Sequence, residues 1–166
     1  SSDLSNGGIT EFGGSRVSSF PSMAVDRSTG PRRGTIYIVY PDRSTGDADV
    51  YVNKSTDGGT TWSDKIRVNG EAVGNGKQQW MSSSAVDASN GALNVSYFSM
   101  DTTGLLTARY LATSLDGGTT WDRTKISDVR FTPGPIPGFA SGYMGDYYET
   151  AAFGGKVVPC WSDNRA

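Results

Sequence analysis

The sequence predicts an all-β protein built from repeated four-stranded units, and three observations predict it. The octet Ser55-Thr56-Asp57-Gly58-Gly59-Thr60-Thr61-Trp62 returns almost unchanged as Ser114-Leu115-Asp116-Gly117-Gly118-Thr119-Thr120-Trp121, an offset of 59 residues from 55 to 114; such a spacing points to arrays or propellers. Around each octet the same succession of short apolar or alternating runs recurs, which is the pattern of strands. The composition agrees, because 22 Gly, 7 Pro and 8 Tyr with few long helix-forming runs favour short strands joined by frequent turns.

The first strand of the unit is read at Pro21-Ser22-Met23-Ala24-Val25-Asp26, which aligns with Ser82-Ser83-Ser84-Ala85-Val86-Asp87, each followed by a Gly-containing turn. Second strands follow at Thr35 to Tyr40 and Ala92 to Phe98, and third strands at Asp49 to Lys54 and Thr107 to Ala112, each leading into its octet. Fourth strands are expected from Trp62 to Val68 and from Trp121 to Ile126. A third unit starts with Glu149 to Phe153, a Gly154-Gly155 turn and Lys156 to Trp161. Four strands per unit make the blade of a β-propeller. The boundaries read as a lead-in segment or preceding blade over 1–17, blades over 18–69 and 78–128, and a partial blade over 139–166, all within one domain of 1–166.

Each octet has the chemistry of a tight hairpin. The Asp57 or Asp116 carboxylate is placed to accept from turn N–H groups, and the Gly pair supplies positive φ where a side chain would be strained. The Ser and Thr hydroxyls close the loop. Trp62 and Trp121 then begin the returning strands and are expected at equivalent buried positions between sheets.

The octet resembles the Asp-box, or bacterial neuraminidase repeat, of the sialidase-like β-propellers, carried here by Ser55, Asp57, Gly59 and Trp62 and again by Ser114, Asp116, Gly118 and Trp121. The resemblance implies that these residues are structural and lie away from the catalytic face. It also implies a six-bladed ring, of which this chain holds about two and a half blades, and a secreted or cell-surface protein. An open arc exposes strand edges and apolar faces, so the expectation is a fragment completed by further blades from the same or another chain.

The remaining composition excludes several functions. The net charge is −2 with scattered Lys and Arg, which offers no stripe for nucleic acid. The absence of His removes the commonest general base and the commonest zinc ligand, and a single Cys160 cannot form an internal disulfide. No cofactor or metal is expected. No apolar run reaches the length of a membrane span, and Ser1-Ser2-Asp3 lacks the charged-then-apolar pattern of a leader. Two glycosylation sequons, Asn53-Lys54-Ser55 and Asn94-Val95-Ser96, fall in strands and read as chance matches.

In a blade the turns between strands one and two and between three and four share one rim, and the boxes lie there. Propeller ligands meet the other rim, around the central channel. That rim collects Asp42 and Arg43 with Asp47 and Asp49, Trp80, Asp101, Tyr143 with Asp146, Tyr147 and Glu149, and Arg165. The ligand-binding candidates are therefore Asp42, Arg43, Trp80, Asp101, Tyr143 and Arg165. Aromatic faces beside carboxylates and guanidinium groups suit a glycan or glycoconjugate, although aromatics also fill the packing between blades. The recurrence of Asp near Arg after equivalent second strands, Asp42-Arg43 and Asp163-Asn164-Arg165, reads as a scaffold ion pair rather than catalytic apparatus.

Sialidase chemistry would require an arginine cluster for the substrate carboxylate, a Tyr nucleophile activated by Glu, and an acid serving as acid and base. Asp146, Tyr147 and Glu149 are the catalytic candidates. Strand alternation puts Tyr147 and Glu149 on one face and Tyr148 on the other. No arginine triad is assignable, since Arg16-Val17-Ser18 is a poor match to the family's Arg-Ile-Pro motif. The function expected is a sialidase-like propeller fragment that engages glycans, hydrolytic only if missing blades supply the arginines. The alternative is a non-catalytic propeller that binds glycans or proteins or serves as a structural module.

Overall fold

The computed structural model describes residues 17, 19–100, 106–134, 144–145 and 147–162. Among them, ten strands form antiparallel sheets and no helix occurs. The first sheet is β1 (Ser22–Val25), β2 (Ile36–Asp42), β3 (Asp49–Ser55) and β4 (Ile66–Arg67), in that spatial order. The second repeats the order with β5 (Gln79–Val86), β6 (Leu93–Ser99), β7 (Ala108–Ser114) and β8 (Asp122–Lys125). A hairpin of β9 (Glu149–Phe153) and β10 (Lys156–Cys160) follows.

The second sheet is covered on both faces. Period-two alternation sends Leu93, Val95 and Tyr97 of β6 into a core with Tyr37, Val39, Val50, Val52 and Val68 of the first sheet. Phe98 points the opposite way, into a core with Trp80, Met81, Met100 and Phe131 against which Tyr148 and Trp161 pack. On that same side the Ser96 hydroxyl meets the Thr150 hydroxyl of β9 at 2.8 Å. The turn of the β9–β10 hairpin is docked by charge, since Gly154 and Gly155 N–H groups donate to the two Asp87 oxygens at 3.2 and 2.7 Å.

The fourth strand of the first unit is shorter than the expected run from Trp62 to Val68. Lys54 N–H donates to Ser63 Oγ at 3.1 Å, so a side chain takes a ladder position and pairing resumes only at Ile66 and Arg67. The sequon asparagines serve the fold: Asn53 joins Tyr40 Oη to the Ser63 carbonyl, and Asn94 is buried.

The two octets close in the same way. Ser55 Oγ donates to Asp57 Oδ1 at 2.8 Å and accepts from Gly59 N–H at 2.9 Å, while Thr61 N–H and Oγ1 donate to the Asp57 carboxylate at 2.9 and 2.6 Å. Ser114, Asp116, Gly118 and Thr120 reproduce this set at 2.8, 2.7, 2.9 and 2.6 Å. The Gly58-Gly59 pair has φ of 73° and 93°, and Gly117-Gly118 has 72° and 90°.

Hydrogen bonds from the Thr61 hydroxyl, the Thr61 N–H and Ser55 lower the Asp57 carboxyl to about 2. Asp116 is likewise held far below the usual carboxylate range by the Thr120 hydroxyl, the Thr120 N–H and Ser114. An unfolded Asp titrates near pH 3.9, so this stabilisation is complete above about pH 4 and is lost as pH falls from there toward 2. Thermal melts between pH 5 and 2 should therefore show a steeper loss for the parent than for Asp57→Asn; parallel curves would contradict the assignment.

The expectation that Trp62 and Trp121 sit in equivalent buried positions is overturned for Trp62. Trp121 packs against the core shared with the first sheet, and Gly118 beneath it lies 3.6 Å from Val52 Cγ1 by the position a Cβ would take. Trp62 is 42% exposed, with Nε1 donating to the Gly59 carbonyl at 3.2 Å. The second octet docks on the first sheet, and among the described residues no sheet precedes the first one to receive Trp62.

Candidate functional site

The first strands of the two four-stranded sheets, β1 and β5, and β9 of the hairpin lie side by side, β5 in contact with both others. The starts of β1 and β9 and the middle of β5 border a cavity of about 300 Å³ lined by Phe20, Pro21, Ser22, Met23, Met81, Ser82, Ser83, Ser84, Tyr148 and Glu149. Its polarity comes from serines. Ser22 and Ser84 hydroxyls meet at 3.0 Å, and Ser84 N–H donates to Ser22 Oγ at 2.9 Å. Ser82 is 8% exposed, and its buried hydroxyl has no hydrogen-bond partner.

The β5 wall is irregular. The β5–β6 register shifts between Trp80 and Ser83, and Met81 within the bulge has φ of 47°, the one positive value outside glycine among the described residues. Behind the bulge lies Arg109 of β7, which is 0% exposed. Its Nη1 donates to the Met81 carbonyl at 2.8 Å and its Nη2 to Ser96 Oγ at 2.7 Å. The guanidinium also sits 4.6 Å from the Phe98 ring centroid and 5.4 Å from that of Tyr148, which supply a π surface to the buried charge. Burial pulls its pKa down to about 9, partly offset by Tyr148 and Cys160, so it remains cationic at neutral pH.

A second, more open cavity of about 330 Å³ is lined by Arg43, Gly46, Asp47, Gly74, Gly76 and Gln78. Its carboxylate is already occupied, because Asp47 accepts from Gly74 and Gly76 N–H groups at 3.0 and 2.9 Å. Among the described residues no group of three or more His, Cys, Asp or Glu is placed to hold a metal, and no helix is long and apolar enough to cross a membrane.

The sequence candidates scatter. Asp101, Tyr143, Asp146 and Arg165 lie outside the described residues. Glu149 lines the first cavity and Arg43 the second. Tyr147 is 89% exposed and lines neither. Tyr148 packs against the core while Glu149 is exposed, and both contribute to the wall of the first cavity. Tyr148 Oη donates to the Gly145 carbonyl at 3.2 Å.

Trp80 is a core residue rather than a ligand platform. It is 1% exposed, with its ring tilted against Phe98 at 5.6 Å. Asp42 forms an ion pair, but with Lys65 at 2.6 Å rather than with a neighbouring Arg, and Ser44 also donates to it at 2.7 Å. β4 brings the lysine across the sheet, which adjacent positions in a chain cannot do. Sequence reading missed Ser82 and Arg109. A legible signal for the second exists, since in the octet register Arg109 occupies the place that Val50 holds in the first unit.

No family model and no curated protein matches the chain. Among solved structures the chain is similar to Hadza microbial sialidase Hz136, at a TM-score of 0.53 and 17% identity over 74% of this chain and 28% of that one. At that identity the likeness is one of fold: an all-β, sialidase-like architecture of which this chain spans little more than a quarter.

Proposed function

We propose that the chain is part of a sialidase-like β-propeller that engages glycans at the cavity between β1, β5 and β9. That cavity is the observation that carries the reading: β1, β5 and β9 bring serines, Tyr148 and Glu149 to one wall. Sugars need such paired hydroxyl partners beside an apolar face. In this reading the octets are Asp-boxes, the two four-stranded sheets are blades, and the β9–β10 hairpin opens a third. Further blades would cover Trp62, Met23 and Val25 at one end and Phe153 and Val158 at the other, all exposed apolar groups. A secreted or cell-surface location follows from the ligand class proposed.

Binding is better supported than hydrolysis for the described residues. Arg109, behind the Met81 bulge, spends both Nη groups on Met81 and Ser96, and Tyr148 Oη is held by a backbone carbonyl. Hydrolysis would draw its arginine cluster from further blades.

Calorimetric titration of the intact protein with 3′-sialyllactose and with lactose tests the reading. Saturable binding of at least one is expected, weakened about tenfold, or about 1.4 kcal/mol, by Glu149→Gln. Absence of binding to both would overturn it. Release of free sialic acid would favour the hydrolase form over the binding module.

A further inference from the structure

We propose that the Glu149 carboxylate makes this cavity selective by charge, so that it takes sugars without a negative charge and disfavours sugars that carry a carboxylate. The proposal rests on the glycan-binding reading above and names the substrate class of that site.

The wall offers a ligand two kinds of accessible surface. Phe20 and Met23 are 53% and 67% exposed and present apolar area on the β1 side. On the β9 side stands Glu149, also exposed, and no side chain of a described residue pairs with its carboxylate. A seated ligand touches these side chains directly. A free carboxylate accepts hydrogen bonds from sugar hydroxyls and repels a second carboxylate.

Selectivity follows from the charges on the elements that surround Glu149. β1 and β5 carry no charged residue, and Glu149 is the one charged residue of β9. Lys156 of β10 pairs with Phe153, four residues along β9 from Glu149, which is about 13 Å at the rise of a strand. That exceeds the Debye length of about 8 Å at physiological salt, so the lysine is screened from a ligand beside Glu149. Arg109 lies behind the Met81 bulge, but it is 0% exposed and its Nη groups are committed to the Met81 carbonyl and Ser96. A ligand carboxylate therefore reaches no guanidinium among the described residues. A cavity of about 300 Å³ is at the small end of ligand sites, so a carboxylate seated in it stays close to Glu149. At such range the repulsion survives physiological salt and lowers affinity at least tenfold.

Calorimetric titration of the intact protein with lactose and with 3′-sialyllactose provides the test. It compares the parent, Glu149→Gln and Glu149→Lys at about 0.01 M and about 1 M salt, where the Debye length is about 30 and 3 Å. At low salt lactose should bind the parent at least tenfold more tightly than 3′-sialyllactose, and at high salt the gap should close to about threefold or less. In Glu149→Gln lactose should lose about tenfold while 3′-sialyllactose changes little, because relief of repulsion offsets the lost hydrogen bonds. Glu149→Lys should reverse the order of the two sugars. Both variants should melt at the parental midpoint, since the replaced side chain is exposed.

Equal or tighter binding of 3′-sialyllactose by the parent would overturn charge selection and leave glycan binding standing. A preference for lactose that persists at high salt and in Glu149→Gln would show that shape sets it, which also overturns the proposal. Binding of neither sugar would remove the glycan reading and the proposal together. If the variants do not fold, the salt dependence of the parent decides, and a gap insensitive to salt counts against Glu149.

Discussion

Trp80→Ala should destabilise the protein by about 3–5 kcal/mol, the range for removing a large buried aromatic side chain. The indole is enclosed in the core between the second sheet and the β9–β10 hairpin, tilted on Phe98 at 5.6 Å. Phe98 in turn meets the edges of Phe131 and Tyr148 at 5.6 and 5.5 Å, so truncation of Trp80 leaves a void beneath three rings. β5 cannot close that void cheaply, being in contact with β1, β2 and β3 on one side and with β9 on the other. Urea unfolding of parent and variant measures the effect. If Trp80 were a sugar platform on the rim, the variant would lose affinity at parental stability, and that result would reverse its assignment to the core.

Gly117→Ala should be far more damaging than Gly58→Ala, although the two glycines hold the same place in identical turns. Both have positive φ, 72° and 73°, where an L side chain is strained by about 1–2 kcal/mol. A Cβ on Gly58 would meet nothing within 4 Å, so strain is its whole cost. A Cβ on Gly117 would stand 2.8 Å from Arg32 Cδ and 3.1 Å from Tyr37 Oη. Arg32 has little room to retreat, since its Nη2 donates to the Gly91 carbonyl at 3.1 Å and its Nε is buried. Overpacking of that kind adds roughly 1–3 kcal/mol. Equal losses of thermal midpoint in the two variants would show that the second octet is not docked on the first sheet.

That pair of glycines marks the border between what local sequence determines and what it leaves open. The turns were legible because everything that closes them lies within eight residues: Ser55 to Asp57, Asp57 to Thr61, and two glycines free to take positive φ. The strand runs were legible because a two-residue period needs no distant partner to be read. The Asp87 that anchors the β9–β10 turn, the lysine that claims Asp42, and the packing of Trp121 but not Trp62 against a core were not, because each depends on which sheet lies against which.

The candidate site divides along the same line. Glu149 lines the first cavity, and its place at the start of β9 was legible because the position of a strand start is a local property. Trp80 was misread as a rim residue because a sequence carries no record of how deeply a ring sinks between two sheets. Arg109 and Ser82 were passed over because their significance lies in a bulge, a positive φ at Met81 and an unpaired hydroxyl, all products of β5 packing between its neighbours. The sequence by itself determined an all-β repeat and the chemistry of its turns, which follow from short-range hydrogen bonding and alternation. Only the tertiary structure decided which side chains became core, which cation was buried and where a cavity opened, because burial is a property of two surfaces in contact and neither surface is encoded in one segment alone.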